Sequence, residues 1–225
     1  MPTLFAKSEN DSAREAYLHL AAAADEFERY EHPHAVRIAA IADKIAETFH
    51  LAPQDRKSLR TAARMHDLGE VAMERDYIER AGSLTDEERI DLERHPVIGE
   101  QEAARASADR AVQLLVRWHH EWWNGSGYPD ALKQNEIPLA ARILRLADSY
   151  AALTDARPFR PAMTEAEARK QIVERAGIEF DPAVVKAFLS LGDLEELKSF
   201  AKTEEQPEPV KPTDDDWNLF SSFMR

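Results

Sequence analysis

HHEWWNGSGYP, His119 to Pro129, is the stretch on which the reading of this chain turns. A helix-like run, Ala111 to His120, ends there in two adjacent histidines and breaks into a loop of glycine and proline. Neighbouring residues on a helix point about 100° apart. His119 and His120 are therefore poorly placed to grip one ion and well placed to reach two adjacent ones. Two metal ions are the first hypothesis, and an accidental pair on a solvated helix end is the alternative that the rest of the chain must overturn.

The chain has 225 residues, enough for one sizeable domain or two small ones with a proper core. Cysteine is absent, so there is no disulfide framework and no thiolate site, and any metal must sit on nitrogen and oxygen. This fits a reducing compartment. The N-terminus, MPTLFAKSEN, lacks a basic region followed by an apolar one, and the apolar run from Leu18 to Ala24 is short and interrupted by His19. The expectation is a soluble cytoplasmic protein without a membrane span. A formal net charge of −13 argues against partners such as nucleic-acid polymers or anionic membranes, which recruit proteins through basic patches. An anionic substrate needs local positive charge, from metals or a few arginines.

Outward from the motif the chain reads as helix after helix, with no convincing alternating strand, and the fold class is all-α. Asp11 to about Tyr30 is an alanine-rich helical segment, and residues 1–30 are set apart as an N-terminal helical segment. His34 to His50 follows Pro33 and places Val36, Ala39, Ala40, Ile41 and Ile45 on a buried stripe. Gln54 to His66 forms the next helix, which ends at Gly69. Thr85 and Glu88 form a capping box that opens a helix expected to run to His95-Pro96. Trp122 to Glu136 is loop. Pro138 to about Thr154, Thr164 to Arg175 and Pro182 to Leu191 are helical, with a turn at Gly177. Residues 31–202 form the main domain. Residues 203–225 begin with the acidic, proline-spaced run EEQPEPVKPTDDD, expected to be disordered, and end in Trp217, Leu219, Phe220, Phe223 and Met224 at roughly helical spacing. That terminal peptide either folds back on its own domain or docks on a protein partner.

Five of the eight histidines, His34, His66, His95, His119 and His120, lie at helix ends or beside other ligand-type residues. His66 is followed by Asp67, and Asp148 interrupts the apolar face of RILRLADSYAAL. A buried aspartate is costly unless paired or bound to a cation. Asp148 can pair with Arg142 or Arg145, or it can join the histidines around metal. Imidazole plus carboxylate, without sulfur, suits iron, manganese or zinc.

Taken in order, these pieces resemble the HD-GYP family, a branch of the HD-domain metal-dependent phosphohydrolases, over roughly residues 25 to 190. They are the His34 helix, His66-Asp67 in MHDLG, His95-Pro96 with Gly99, the complete HHExxxGxGYP loop, Asp148 in ARILRLADSYAAL, Arg157 and Arg160 in RPFRPA, and FDPAVVKAF from Phe180. The resemblance implies a single HD-type helical bundle and a cyclic dinucleotide phosphodiesterase that converts cyclic di-GMP to pGpG or GMP. It implies two divalent ions, iron or manganese with zinc also suited, held by His34, His66, Asp67, His95, His119, His120 and Asp148, with Asp67 the bridge. Two ions about 3.5 to 4 Å apart can deprotonate a shared water and neutralise charge on a phosphate in line for displacement. Arg157 and Arg160 would hold phosphate oxygens. Tyr128, Gly125 and Gly127 would shape a loop where a base stacks and the backbone approaches the ligand, and Trp122 and Trp123 either stack on guanine or pack between helices.

The chain departs from the family at two positions. HDxGK reads HDLGE, with Glu70 at the lysine, and the second aspartate of DxxDAL is Ala151. A carboxylate about 4 Å from a phosphate repels it by about 4 kcal/mol at an effective dielectric of 20. Glu70 must therefore turn away, hold a proton or join His66, Asp67 and the metals in the catalytic set. Tyr30 occupies the place of a third-metal glutamate, with Glu31 and His32 nearby, and two metals are favoured. A second reading keeps the pocket but binds nucleotide, or a protein partner through the GYP loop or the tail, without hydrolysis. A third is hydrolysis of another nucleotide, such as a mixed cyclic dinucleotide. No sensor or receiver domain is expected before the helical core.

Overall fold

The computed structural model describes residues 33–73, 75–80, 82–156 and 161–192, together with residue 194. The expected N-terminal segment 1–30, Glu31 and His32, the tail 203–225, and Arg157 and Arg160 lie outside the described residues. Within them the chain is helical, with no strand, only an isolated bridge between Ala176 and Phe180.

The helices in chain order are α1 His34–Thr48, α2 Pro53–Met65, α3 Leu68–Met73, α4 Asp76–Glu79, α5 Asp86–Leu92, α6 His95–Arg105, α7 Arg110–Trp118, α8 Leu139–Thr154, α9 Glu165–Glu174 and α10 Pro182–Ser190. A short 3₁₀ turn, Gln134–Glu136, interrupts the loop before α8. The caps follow local chemistry. Thr85 accepts from the Glu88 amide at 3.2 Å and Glu88 reaches back to the Thr85 amide at 2.8 Å, the reciprocal pair expected from the sequence. Asp181 accepts from the Ala183 amide at 2.7 Å and opens α10 at Pro182.

Helix α1 packs on α2 and α8, α3 on α6, and α6 and α2 on α7. Ile38, Ile41 and Ile45 of α1, Leu59 and Met65 of α2, Val116 of α7 and Ile143, Leu144 and Leu146 of α8 are fully buried at the centre. Each such side chain contributes about 1.5–3 kcal/mol of transfer free energy. Tyr150 of α8 meets Phe188 of α10 edge-on, with ring centroids 4.9 Å apart. None of the described helices is long and apolar enough to cross a membrane.

Two sequence expectations need correction. Gly69 does not end a helix; it lies inside α3, where a Cβ would stand 2.0 Å from the His95 carbonyl oxygen and 2.8 Å from the Gly99 amide nitrogen. It is there because α3 and α6 touch backbone to backbone. The helix opened by Thr85 does not reach His95-Pro96 but stops at Leu92, and His95-Pro96 opens α6. Proline in a first turn has no amide hydrogen to lose, so the dipeptide that reads as a stop is a start.

Candidate metal centre

The helix packing brings seven side chains together from five places in the chain. His34 opens α1, His66 and Asp67 form the turn between α2 and α3, His95 opens α6, His119 and His120 follow α7, and Asp148 projects from α8. They fall into two sets, Asp67 with His95, His119 and His120, and His34 with His66 and Asp148. Within each set the ligand atoms lie within 4.8 Å of one another. Asp67 stands between the sets. Its Oδ1 is 3.6 Å from His95 Nε2 and 3.7 Å from His119 Nε2, and its Oδ2 is 2.5 Å from His66 Nε2. Asp148 Oδ1 lies 3.9 Å from both His34 Nε2 and His66 Nε2.

The ring orientations are fixed by the helices that carry them. His66 Nδ1 is 3.0 Å from the Ala63 carbonyl, His95 Nδ1 2.8 Å from that of Leu92, and His119 Nδ1 2.6 Å from that of Val116. A carbonyl only accepts, so each Nδ1 carries the hydrogen and each Nε2 turns into the cluster. As a result, His95 Nε2 and His119 Nε2 face each other at 3.3 Å. In neutral rings both atoms present lone pairs, and such a pair is favourable only with a proton or metal cation beside it.

Burial, with His119 close by, pulls the His95 pKa down to about 4, so the ring is neutral at pH 7. Burial, reinforced by His119 and His95, also holds His120 well below its ordinary value, and burial lowers His34 despite the Asp155 carboxylate. His66 is the exception. Burial opposes its charge, but the adjacent Asp67 carboxylate outweighs burial and raises it to about 9. Without metal, a proton therefore sits between His66 and Asp67.

The remaining expected residues lie around this centre. Glu70 is outside both sets, with Oε1 3.9 Å from His95 Nδ1, the nitrogen turned away from the cluster. Tyr128 stacks on His120, centroids 4.8 Å apart and planes 26° from parallel. The space beside Gly127 is filled by the chain itself, since a Cβ there would stand 2.3 Å from the Trp122 amide nitrogen and 2.4 Å from the His120 carbonyl oxygen. Trp122 and Trp123 lie under guanidinium groups, Arg175 at 5.3 Å and Arg142 at 5.5 Å from the ring centroids.

Two supporting groups, Asp155 and Glu121, escaped the sequence reading, and a third, Arg145, entered it only as a possible partner of Asp148. Asp155, just past α8, accepts from His34 Nδ1 at 2.7 Å and from Arg37 at 2.5 Å, and although burial pushes its pKa up, these two partners hold it below the ordinary value. Glu121, inside the motif, accepts from the Asp130 and Leu132 amides at 2.7 and 2.9 Å and ties the GYP loop shut. Arg145 donates to His120 Nδ1 at 3.0 Å and to Asp148 at 3.3 Å, while its other arm pairs with buried Glu179. The one sequence signal for these was the pair of charges, Arg37 and Arg145, interrupting otherwise apolar helix faces.

Nitrogen and carboxylate donors in two convergent groups, with the Nε2 atoms of His66, His95 and His119 turned inward and their Nδ1 hydrogens outward, fit divalent metal ions of the borderline class. Fold and site together define an HD-type helical domain. Residues 19–184 match the HD domain family, and the chain belongs to that family, in its HD-GYP branch. It is 40% identical over 150 residues, 63% of this chain and 30% of the relative, to a cyclic di-GMP phosphodiesterase of Vibrio cholerae. It is 37% identical over 156 residues, 68% of this chain and 41% of the relative, to the cyclic di-GMP phosphodiesterase response regulator RpfG of Xanthomonas campestris. Among solved structures, a cyclic GMP-AMP specific phosphodiesterase of V. cholerae, V-cGAP3, shares the fold with a TM-score of 0.68 at 22% identity, over 93% of this chain and 58% of that one. The chain thus spans well under half the length of these two curated relatives.

Proposed function

We propose that this chain hydrolyses a phosphodiester bond of a cyclic dinucleotide, cyclic di-GMP first, to pGpG or GMP. The observation that carries the reading is the convergence of His95 Nε2 and His119 Nε2 at 3.3 Å beside Asp67, a carboxylate that also reaches the second set through His66. His34, His66, Asp67 and Asp148 would hold one ion, and Asp67, His95, His119 and His120 a second. Two divalent ions, iron or manganese before zinc, supply Lewis acidity toward water and phosphate when bound.

The chain's own residues do the rest. The carbonyls of Ala63, Leu92 and Val116 keep three rings in one tautomer, and Asp155 orients His34. Tyr128, stacked on His120, offers an aromatic face at the rim. Arg157 and Arg160 remain proposed phosphate holders. The test is turnover of cyclic di-GMP by anaerobically purified protein, with metals counted in the same sample and products separated. Turnover with about two metals per chain supports the reading; a fully metallated protein that cleaves neither cyclic di-GMP nor a mixed cyclic dinucleotide overturns it.

One observation favours a second reading, in which nucleotide or a protein partner is bound without efficient cleavage. The charge-reversed Glu70 is buried beside His95, where its carboxylate adds negative charge near an anion. Tight binding of cyclic di-GMP without product separates this reading from the first.

A further inference from the structure

Arg145 stands where the two ligand sets meet. One nitrogen, Nη1, reaches His120 of the first set and Asp148 of the second, and Nη2 is fastened to Glu179, whose side chain is 2% exposed. Glu179 is itself held from the far side by Arg175 at 2.8 Å. Nε of Arg145 is buried with no hydrogen-bond partner among the described residues. A guanidinium has five donor hydrogens in a fixed fork, and here part of that fork is unused. Arg145 and Asp148 also line a cavity of about 210 Å³, together with Ser149, Leu153 and Phe180, so a ligand can approach the fork from that side.

From this geometry we propose that Arg145 is a substrate-binding residue of the site, its guanidinium held by Glu179 to grip a phosphate oxygen of the bound nucleotide. The proposal rests on the phosphodiesterase reading for its substrate. An ion held through His120 Nε2 would leave the ring hydrogen on Nδ1 and remove that acceptor from Nη1, while Asp148 Oδ2 and Glu179 would keep the guanidinium in place. A phosphate oxygen is the acceptor that then completes the fork. Arg145 on α8 also brings positive charge to the same cluster that Glu70 of α3 borders with a carboxylate.

The experiment uses the full chain loaded with Mn²⁺ and three proteins, wild type, Arg145→Leu and Arg145→Lys. Affinity for inorganic phosphate and for cyclic di-GMP is measured by calorimetry, together with bound metal, melting temperature, KM and kcat. Arg145→Leu is expected to weaken phosphate and nucleotide binding by about tenfold or more, chiefly in KM, with metal content unchanged. Arg145→Lys, which keeps the charge but loses the fork, is expected to recover part of that loss. If the leucine variant does not fold, the lysine variant alone decides, with a several-fold rise in KM expected. Unchanged affinities overturn the proposal. So does weakened binding that appears only together with lost metal, since Arg145 would then position His120 and not hold substrate. If wild type cleaves no cyclic dinucleotide while phosphate affinity still depends on Arg145, the phosphodiesterase reading fails and this assignment stands. If the nucleotide is cleaved and Arg145→Leu matches wild type, the reverse holds.

Discussion

Gly69→Ala is a one-carbon change that should reach the metal centre through the backbone. The added Cβ would lie 2.0 Å from the His95 carbonyl oxygen and 2.8 Å from both the His95 carbonyl carbon and the Gly99 amide nitrogen. All three are backbone atoms, so no rotamer change relieves the clash. Ordinary contact begins near 3.4 Å, and α3 and α6 must separate locally by roughly 1.4 Å, a difference taken from that 2.0 Å approach. Overpacking of this kind costs about 1–3 kcal/mol. The separation bears directly on His95, one of the two imidazoles that face each other at 3.3 Å, and misplacing a site group by about 1 Å costs about 100-fold in rate. Urea denaturation of metal-free protein gives the stability term, and chelator competition with turnover gives the site term. Two controls isolate the cause. Gly99→Ala meets one side-chain methyl, that of Val116, at 2.9 Å where Gly69→Ala meets three backbone atoms more closely, and should cost less; Gly192→Ala meets nothing within 4 Å and should be silent. Wild-type stability and wild-type metal affinity in Gly69→Ala would refute the argument that α3 and α6 are pinned at this point.

Asp155→Asn removes the anionic acceptor of His34 and the charge partner of buried Arg37, and should weaken metal binding at the His34 set by about 10- to 100-fold, read as a lower metal count after dialysis against a weak chelator. Glu121→Ala leaves the Asp130 and Leu132 amides without their carboxylate, which at about 1–3 kcal/mol each should lower unfolding free energy by about 2–6 kcal/mol in denaturant titrations. For the metal-free protein, stability should peak near pH 6.5. The His66 pKa is raised from 6.5 to about 9, so its contribution is complete below pH 6.5 and is lost as pH rises through 9. The His95 pKa is depressed to about 4, so its contribution is present above pH 6.5 and fades as pH falls toward 4. Metal displaces the proton on His66, and melting curves of the loaded protein should therefore have their maximum at higher pH; a peak that does not move would contradict the assignment of His66 as a ligand.

Much of the centre could be read in the sequence because its residues announce themselves locally. An HH pair before a glycine-proline loop, an HD pair and an aspartate inside an apolar helix each break a rule of ordinary helices, and folding brings all of them together. Helix α6 could not be read in this way, since HPVIGEQEAAR lacks a clear apolar stripe and opens on a proline that resembles a terminator. Asp155 and Glu179 were hidden for another reason. They act on His34 and Arg145 across 121 and 34 residues, and nothing in either local sequence marks the partner. Gly69 was misread because a glycine required by a close helix contact looks the same in sequence as one that ends a helix.

The carbonyls that fix the three imidazoles belong to Ala63, Leu92 and Val116, all in the last turns of α2, α5 and α7. A helix leaves its final carbonyls without partners of its own, and here ring nitrogens take three of them. The same side chains are therefore C-terminal caps as well as candidate ligands. A descendant without the proposed activity would still meet a folding cost on discarding His66, His95 or His119. Retention of these histidines in a descendant would then testify to the architecture as much as to the chemistry, and truncating any one should soften a helix end even in protein that has never met a metal.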